Sequence, residues 1–291
     1  MNDWIQWGLE VVRAIQTIRN PALDQFFLTI NFLGDAEFYL IFFPVLFWCF
    51  SKSVGYRLAG VFLFSSFLNE TLKAVFAQPR PYQVDKNLWA PVQQPGYGIP
   101  SGHTQNTLTT WGNLATQLRR RGWWALAFAI PLSVGFGRMY LADHFPQDVI
   151  AGAILGVALV AGYAVLEPPA TRWIIAQSLA RKLALAVLAP LALALVFFSV
   201  KTAVPIGAML GFFVGAILEE RYVRFSPRGA WWQHLLKFAL GVAIGLGLRV
   251  ALKPLLGETP VGDTIRYAII GVWFALGAPW VFVLARLAKR A

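Results

Sequence analysis

The chain has 291 residues, of which 57% are hydrophobic and only 13% charged, where a soluble domain carries roughly 25% charged residues; the composition excludes a soluble globular domain and indicates an integral membrane protein. Its net charge of +11 is spread over short loops between apolar runs and forms no basic tail, which excludes nucleic acid as partner and points to the lipid bilayer, with its anionic lipids. A single cysteine, Cys49, inside an apolar run leaves no intramolecular disulfide and no Cys-based metal site, and reads as a small buried hydrophobe.

In chain order, Trp4, Gly8, Val11, Ile15 and Ile18 recur at helical spacing, with Glu10, Arg13 and Gln16 elsewhere around the wheel. That pattern predicts a helix lying flat at the interface. Asp3, Glu10 and Arg13 also speak against a cleaved signal peptide. Pro21 ends this helix, and a short second one is expected from Ala22 to Phe32. Each is shorter than the ~20 residues that cross the hydrocarbon. Residues 1–34 are therefore read as interfacial, the alternative being one kinked span.

Five spans follow: about Glu37 to Phe50, Tyr56 to Phe76, Ser101 to just before Arg119, Trp123 to Tyr140, and Pro146 to Leu166. A Pro-rich, aromatic loop separates the second from the third and reaches Ile99. The segment EPPATRW reads as a linker, with a short interfacial helix ending near Lys182. Four more apolar segments are Leu183–Val200, Ala203–Leu218, Leu235–Leu252 and Ile265–Ala285. The expected fold is all-α and polytopic, with a catalytic core over 35–167 and further transmembrane helices over 168–291. If each segment crosses once, Lys52/Arg57, Arg119–Arg121, Arg172/Arg181/Lys182, Arg221/Arg224/Arg228 and Arg286/Lys289/Arg290 share one face, which is the cytoplasmic one.

Three polar clusters then fall together on the opposite face. The first is Lys73 with Arg80 and Pro81. Cations at a helix end can simply snorkel, but Arg clamps phosphate oxygens through its planar fork and Lys adds a point charge. The second is Pro100-Ser101-Gly102-His103 ahead of a helix. Ser101 is a natural N-cap, Gly102 admits a ligand close to the backbone, and the helix start offers free N–H groups to an anion. The third is Arg138, His144 and Asp148. Pro146 opens a helix, so Asp148 lies in its first turn and can reach back to one nitrogen of His144, leaving the other as a nucleophile. A metal at Asp143, His144 and Asp148 is the weaker reading.

The stretches KAVFAQPRP, PSGH and GRMYLADHFPQD together resemble the three-part signature of the type 2 phosphatidic acid phosphatase (PAP2) superfamily, in its order and spacing. Gly137 stands where that family usually has Ser, so any phosphate contact from the hydroxyl is absent. A looser resemblance to the sphingosine-1-phosphate phosphatase branch runs from FLGDAEFYLIFFPVLFWCF to LNETLKAVFAQPRP. The resemblance implies that His144 attacks phosphorus and becomes phosphohistidine, that Asp148 orients it, and that His103 protonates the leaving group and then activates water. It further implies that Lys73, Arg80, Ser101, Gly102 and Arg138 bind the phosphoryl oxygens, with no metal and no cofactor.

The implied activity is removal of phosphate from an amphiphilic lipid on the outer face of a bacterial inner membrane. Polyprenyl (undecaprenyl) pyrophosphate, phosphatidate-like lipids, phosphatidylglycerol phosphate and long-chain-base phosphates are the candidate substrates. The alternative is a lipid-phosphate transporter or flippase that kept the pocket, which the extra C-terminal helices motivate; both histidines and Asp148 favour catalysis. A vanadate-dependent haloperoxidase, the third candidate, disagrees with the apolar chain. His234, beside Trp231 and Trp232, reads as interfacial. Arg249, Lys253 and Arg266 read as snorkelling cations, with a lipid phosphate or a partner subunit in a homo-oligomer as the alternative.

Overall fold

The computed structural model describes residues 3–290. The helices are α1 (Asp3–Gln16), α2 (Pro21–Asn31), α3 (Ala36–Val45), α4 (Lys52–Phe76), the short α5 (Pro81–Val84), α6 (Gly102–Leu118), α7 (Arg121–Tyr140), α8 (Pro146–Ile175), α9 (Leu179–Val196), α10 (Val200–Leu218), α11 (Trp231–Leu256), α12 (Pro260–Val272) and α13 (Ala278–Leu284). One isolated bridge, Phe225 with Arg290, is the only β pairing among the described residues. The protein is an all-α, polytopic integral membrane protein.

Six stretches among the described residues are long and apolar enough to cross a membrane: Lys52–Val84, Pro146–Ile175, Leu179–Val196, Val200–Val223, Trp231–Leu256 and Pro260–Leu284. A seventh forms if Pro21–Gly34 and Ala36–Phe50, bent by 54° at their junction, act as one broken span. The four segments expected after the core are all in this set. The third and fourth expected spans, α6 and α7, are not. α6 has 17 residues and buries Thr104, Gln105, Thr107, Thr109, Thr110 and Asn113, so its polar side chains are turned into protein. Trp123, Trp124 and Arg138 dilute the apolar residues of α7.

The expected linker EPPATRW is a correction, because α8 runs through Pro168 and Pro169 to Ile175. Two prolines remove two backbone donors and would normally end a helix. Here Thr171 donates to Glu167 at 2.8 Å across one turn, and Arg57 pairs with Glu167 at 3.1 Å.

The chain divides into two compact units. The first joins residues 1–39 to 68–166. In it, Leu9 and Val12 of α1 bury against Ala142 and Phe145, while Phe27 of α2 packs on Tyr140 and Leu141. Polar ties reinforce this packing: Arg13 pairs with Asp85 at 2.7 Å, Gln16 donates to the carbonyls of Trp89 and Tyr140 at 2.8 and 2.9 Å, and the Tyr140 hydroxyl donates to Asp24 at 2.6 Å. The N-terminal helices are thus built into the unit that carries the three motifs.

The second unit joins residues 40–67 to 167–291. This grouping differs from the sequence division at 35–167, and the reason is side-chain packing: Phe67 of α4 buries with Ile206 and Met209 of α10. Phe47, Phe212, Phe225 and Phe274 form an aromatic cluster. Gly207, Gly211 and Gly215 line α10 at four-residue spacing. A Cβ on Gly211 would run into the Ala268 carbonyl of α12, so only a bare backbone fits this seam. Four cations of this unit find partners within it. Lys52 meets Glu219 at 2.5 Å, Lys237 donates to the carbonyls of Trp48 and Pro227 at 2.8 and 2.9 Å, Lys253 pairs with Glu258 at 2.5 Å, and Arg266 pairs with Asp263. Arg249 is exposed, and His234 is half-buried.

Candidate active site

All eight residues singled out by spacing lie in the first unit. The loop between α7 and α8 is the centre. Ala142 adopts a left-handed conformation, φ 54°, which a non-glycine residue holds only when its surroundings over-determine it. The amides of Asp143 and His144 both donate to the carbonyl of Arg138, at 3.0 and 3.2 Å, and the Tyr82 amide donates to the carbonyl of Ala142 at 3.3 Å. The loop is therefore locked, and it presents His144 just before Pro146 starts α8.

Asp148, fully buried in the first turn of α8, reaches back to His144. Its Oδ2 lies 3.3 Å from His144 Nδ1 and accepts from the Phe145 amide at 2.9 Å, while Oδ1 accepts from Gln78 at 2.7 Å. A carboxylate only accepts, so Nδ1 carries the hydrogen and Nε2 keeps its lone pair. Burial holds the His144 pKa well below the ordinary imidazole value, and the nearby Arg80, Arg138 and Lys73 lower it further. A neutral, correctly tautomeric imidazole is what nucleophilic attack requires.

Arg80 and Arg138 converge on this nitrogen's side of the ring. Arg80 NH1 lies 3.3 Å from His144 Nε2, and it also donates to the carbonyl and Oδ2 of Asp143 at 3.1 and 2.6 Å. Arg138 ion-pairs with the same Asp143 carboxylate. Both guanidiniums are almost completely buried. The loop after α5 folds back onto Arg80, whose Nε donates to the Gly96 carbonyl at 3.2 Å.

α6 brings the second histidine. Ser101 caps it, its Oγ accepting from the Thr104 amide at 3.5 Å and hydroxyl at 3.1 Å, and the Ser101 amide donates to the Asp148 carbonyl at 2.9 Å. His103 sits in the first turn with Nε2 3.4 Å from Arg138 NH1. The Lys73 ammonium pairs with Glu70 at 3.5 Å and lies beside Gly102, 3.5 Å from where a Cβ on that glycine would stand. The structure thus brings His144, Asp148, Arg80, Arg138 and His103 into one buried cluster. Lys73, Ser101 and Gly102 flank it.

Two polar side chains escaped the sequence reading. Asp35, between α2 and α3, accepts from His103 Nε2 at 2.8 Å, so that nitrogen carries a hydrogen. The signal available was a lone Asp after glycine at the head of an apolar run. The other is Asn31, whose carboxamide fills the space beside Gly137: a Cβ there would run into Asn31 Nδ2 and come within 3.1 Å of Phe27. A serine at 137 would collide with this amide, so the glycine that departs from the superfamily pattern leaves room for Asn31.

The chain matches known proteins over both its parts. The PAP2 superfamily model matches residues 55–172, and the model for the PAP2 superfamily phosphatase transmembrane extension matches residues 203–290. Lipid phosphate phosphatase delta of Arabidopsis thaliana is 28% identical over 169 residues, covering 53% of this chain and 40% of that protein. A probable sphingosine-1-phosphate phosphatase of Dictyostelium discoideum is 27% identical over 164 residues, with 52% and 40% covered. Glucose-6-phosphatase 3 of Homo sapiens is 29% identical over 184 residues, with 55% and 53% covered. The chain therefore spans about two-fifths to half the length of these relatives. Its catalytic-type motifs and its C-terminal helices match two models of one family, and the chain belongs to the PAP2 superfamily.

Proposed function

We propose that the protein is a membrane phosphatase that removes phosphate from an amphiphilic lipid, with His144 as nucleophile. The observation that carries this reading is the buried line Asp148–His144–Arg80, in which the free Nε2 faces a guanidinium suited to a phosphoryl oxygen. In the first step Nε2 attacks phosphorus, a P–N bond forms and the P–O bond to the lipid breaks. The departing oxygen takes the Nε2 proton of His103, which enters this step as the imidazolium beside Asp35 and leaves it neutral, and Asp148 stabilises the imidazolium form of His144. In the second step His103 takes a proton from water, the water oxygen attacks phosphorus, the P–N bond breaks and inorganic phosphate leaves. Arg80, Arg138, Lys73, Ser101 and Gly102 hold the phosphoryl oxygens, and these cations carry the electrostatic work without a metal.

The similarity to a lipid phosphate phosphatase and a sphingosine-1-phosphate phosphatase supports a lipid phosphomonoester, and a membrane-embedded chain suits a substrate whose tail stays in the bilayer. Polyprenyl pyrophosphate remains in the candidate set. The similarity to glucose-6-phosphatase 3 motivates a second reading, a soluble sugar phosphate. The distribution of basic residues over the loops supports a site on the extracytoplasmic side of a plasma membrane. The test is phosphate release by the detergent-purified chain from polyprenyl pyrophosphate, phosphatidate, a long-chain-base phosphate and glucose 6-phosphate, with and without a chelator. Release from a lipid, unaffected by chelator and abolished by His144→Ala, is expected. Wild-type turnover in His144→Ala would sink the mechanism, and binding of lipid without any release would favour a transporter.

A further inference from the structure

Within the buried cluster, the proposed chemistry leaves the ionisable side chain of Asp143 without a task. Asp143 is fully buried, yet His144 already has Asp148 on its Nδ1. The Asp143 Oδ2 is held by Arg80 at 2.6 Å and by Arg138, and it lies 3.7 Å from His144 Nε2. Its Oδ1 has no hydrogen-bond partner among the described residues. An attacking atom and its target approach within about 3–3.5 Å, so the oxygens on an attacked phosphorus lie in much the same shell around Nε2 as this carboxylate oxygen does. The two guanidiniums it occupies are the groups that a phosphoryl group needs.

We infer that Asp143 is a built-in competitor for the phosphoryl group, an inference that rests on reading this cluster as the phosphate site. Between substrates the carboxylate pairs with both guanidiniums and lets two like charges remain buried side by side. A phosphate monoester must take over Arg80 and Arg138, because two anions cannot share them at contact distance in so dry a site without strong repulsion. The same competition expels inorganic phosphate once the P–N bond has broken. Asp143 thereby sets the affinity for substrate and product together, trading tight binding for release. It does not touch the transferred proton, and its role is that of a positioning and affinity-setting residue.

The test is Asp143→Asn in the full chain, compared with wild type in detergent. Inorganic phosphate is the probe, both as an inhibitor of lipid-phosphate hydrolysis and through its effect on the thermal midpoint, which needs no turnover. The variant is expected to lower the phosphate inhibition constant and KM by about tenfold or more, to lower kcat as product release slows, and to gain more thermal stability from phosphate than wild type does. If the variant is poorly stable, phosphate should rescue it, since the anion replaces the lost carboxylate. Unchanged or weaker phosphate binding in the variant overturns the inference. Should wild type turn over lipid phosphate while the variant binds phosphate no more tightly, the inference fails alone. Should wild type release no phosphate from any substrate while the variant gains phosphate binding, the competitor role stands and the catalytic reading falls.

Discussion

Restoring the superfamily's usual serine at position 137 is the most pointed perturbation available. In Gly137→Ser the new Cβ meets Asn31 Nδ2 at less than contact distance and presses on Phe27. Overpacking of a filled site costs about 1–3 kcal/mol. The carboxamide must also move, losing its 2.7 Å bond to the Phe27 carbonyl, worth about 0.5–1.5 kcal/mol. The single variant should therefore be destabilised by about 2–4 kcal/mol. Asn31→Ala alone should cost about 1 kcal/mol, because it loses that bond but also removes a buried Oδ1 that has no hydrogen-bond partner among the described residues. In the double variant the clash is gone, so its loss should be about 1 kcal/mol, far below the sum of the two singles. Thermal or denaturant unfolding of the four proteins in one detergent gives the coupling energy directly. Additivity of the two substitutions, or a neutral Gly137→Ser, would refute the idea that the glycine leaves room for Asn31.

Other expectations follow from the same geometry. Asp35→Asn should slow turnover about tenfold or more, with the larger loss for substrates whose leaving group most needs a proton; an equal loss for good and poor leaving groups would contradict a role through His103. Asp148→Asn removes the charge that supports the His144 imidazolium and should cut kcat about 10- to 100-fold with little change in KM, checked by steady-state kinetics. Because burial and the neighbouring cations disfavour its protonated form, His144 should remain neutral as the pH falls through 6.5. With only three histidines in the chain, nitrogen-15 NMR of labelled protein can follow each one, and a His144 titration at the ordinary value would be the contrary result. Gly211→Ala pushes a methyl into the Ala268 carbonyl and should lower stability by about 1–3 kcal/mol, read as a drop in the thermal midpoint; an unchanged midpoint would mean α10 and α12 are less tightly seated than described.

The motif residues were legible because catalysis demands particular side chains at fixed offsets along helices, and those offsets survive in the linear chain. Asp35 was not, since it reaches His103 across 68 positions of sequence, and no periodicity links the two. Asn31 was hidden for the same reason, although glycine at 137 announced that something else must fill the gap. Asp143 was visible but weighed only as a metal ligand; its pairing with both arginines is a tertiary fact. The continuation of α8 through Pro168 and Pro169 was misread because local propensity argues for a break, and the Glu167 contacts that bridge it involve Arg57, 110 positions earlier. Residues 40–67 were read with the core on the superfamily resemblance, and their packing with the C-terminal helices, as in the burial of Phe67 against Ile206 and Met209, is a tertiary fact that no local pattern carries.

The inward-turned polarity of α6 bears on how the protein is made. A newly synthesised segment partitions into lipid according to its own hydropathy, and this one, with its threonines, glutamine and asparagine, gains too little by entering alone. It becomes stable at that depth only when α7 and α8 are present to receive those side chains. The helix that delivers His103 is thus retained by its neighbours rather than by the bilayer. A chain stalled before residue 138 would carry Lys73, Arg80 and His103 on an unsupported α6 and lack Arg138, His144 and Asp148, so the candidate site is assembled only with the completed unit.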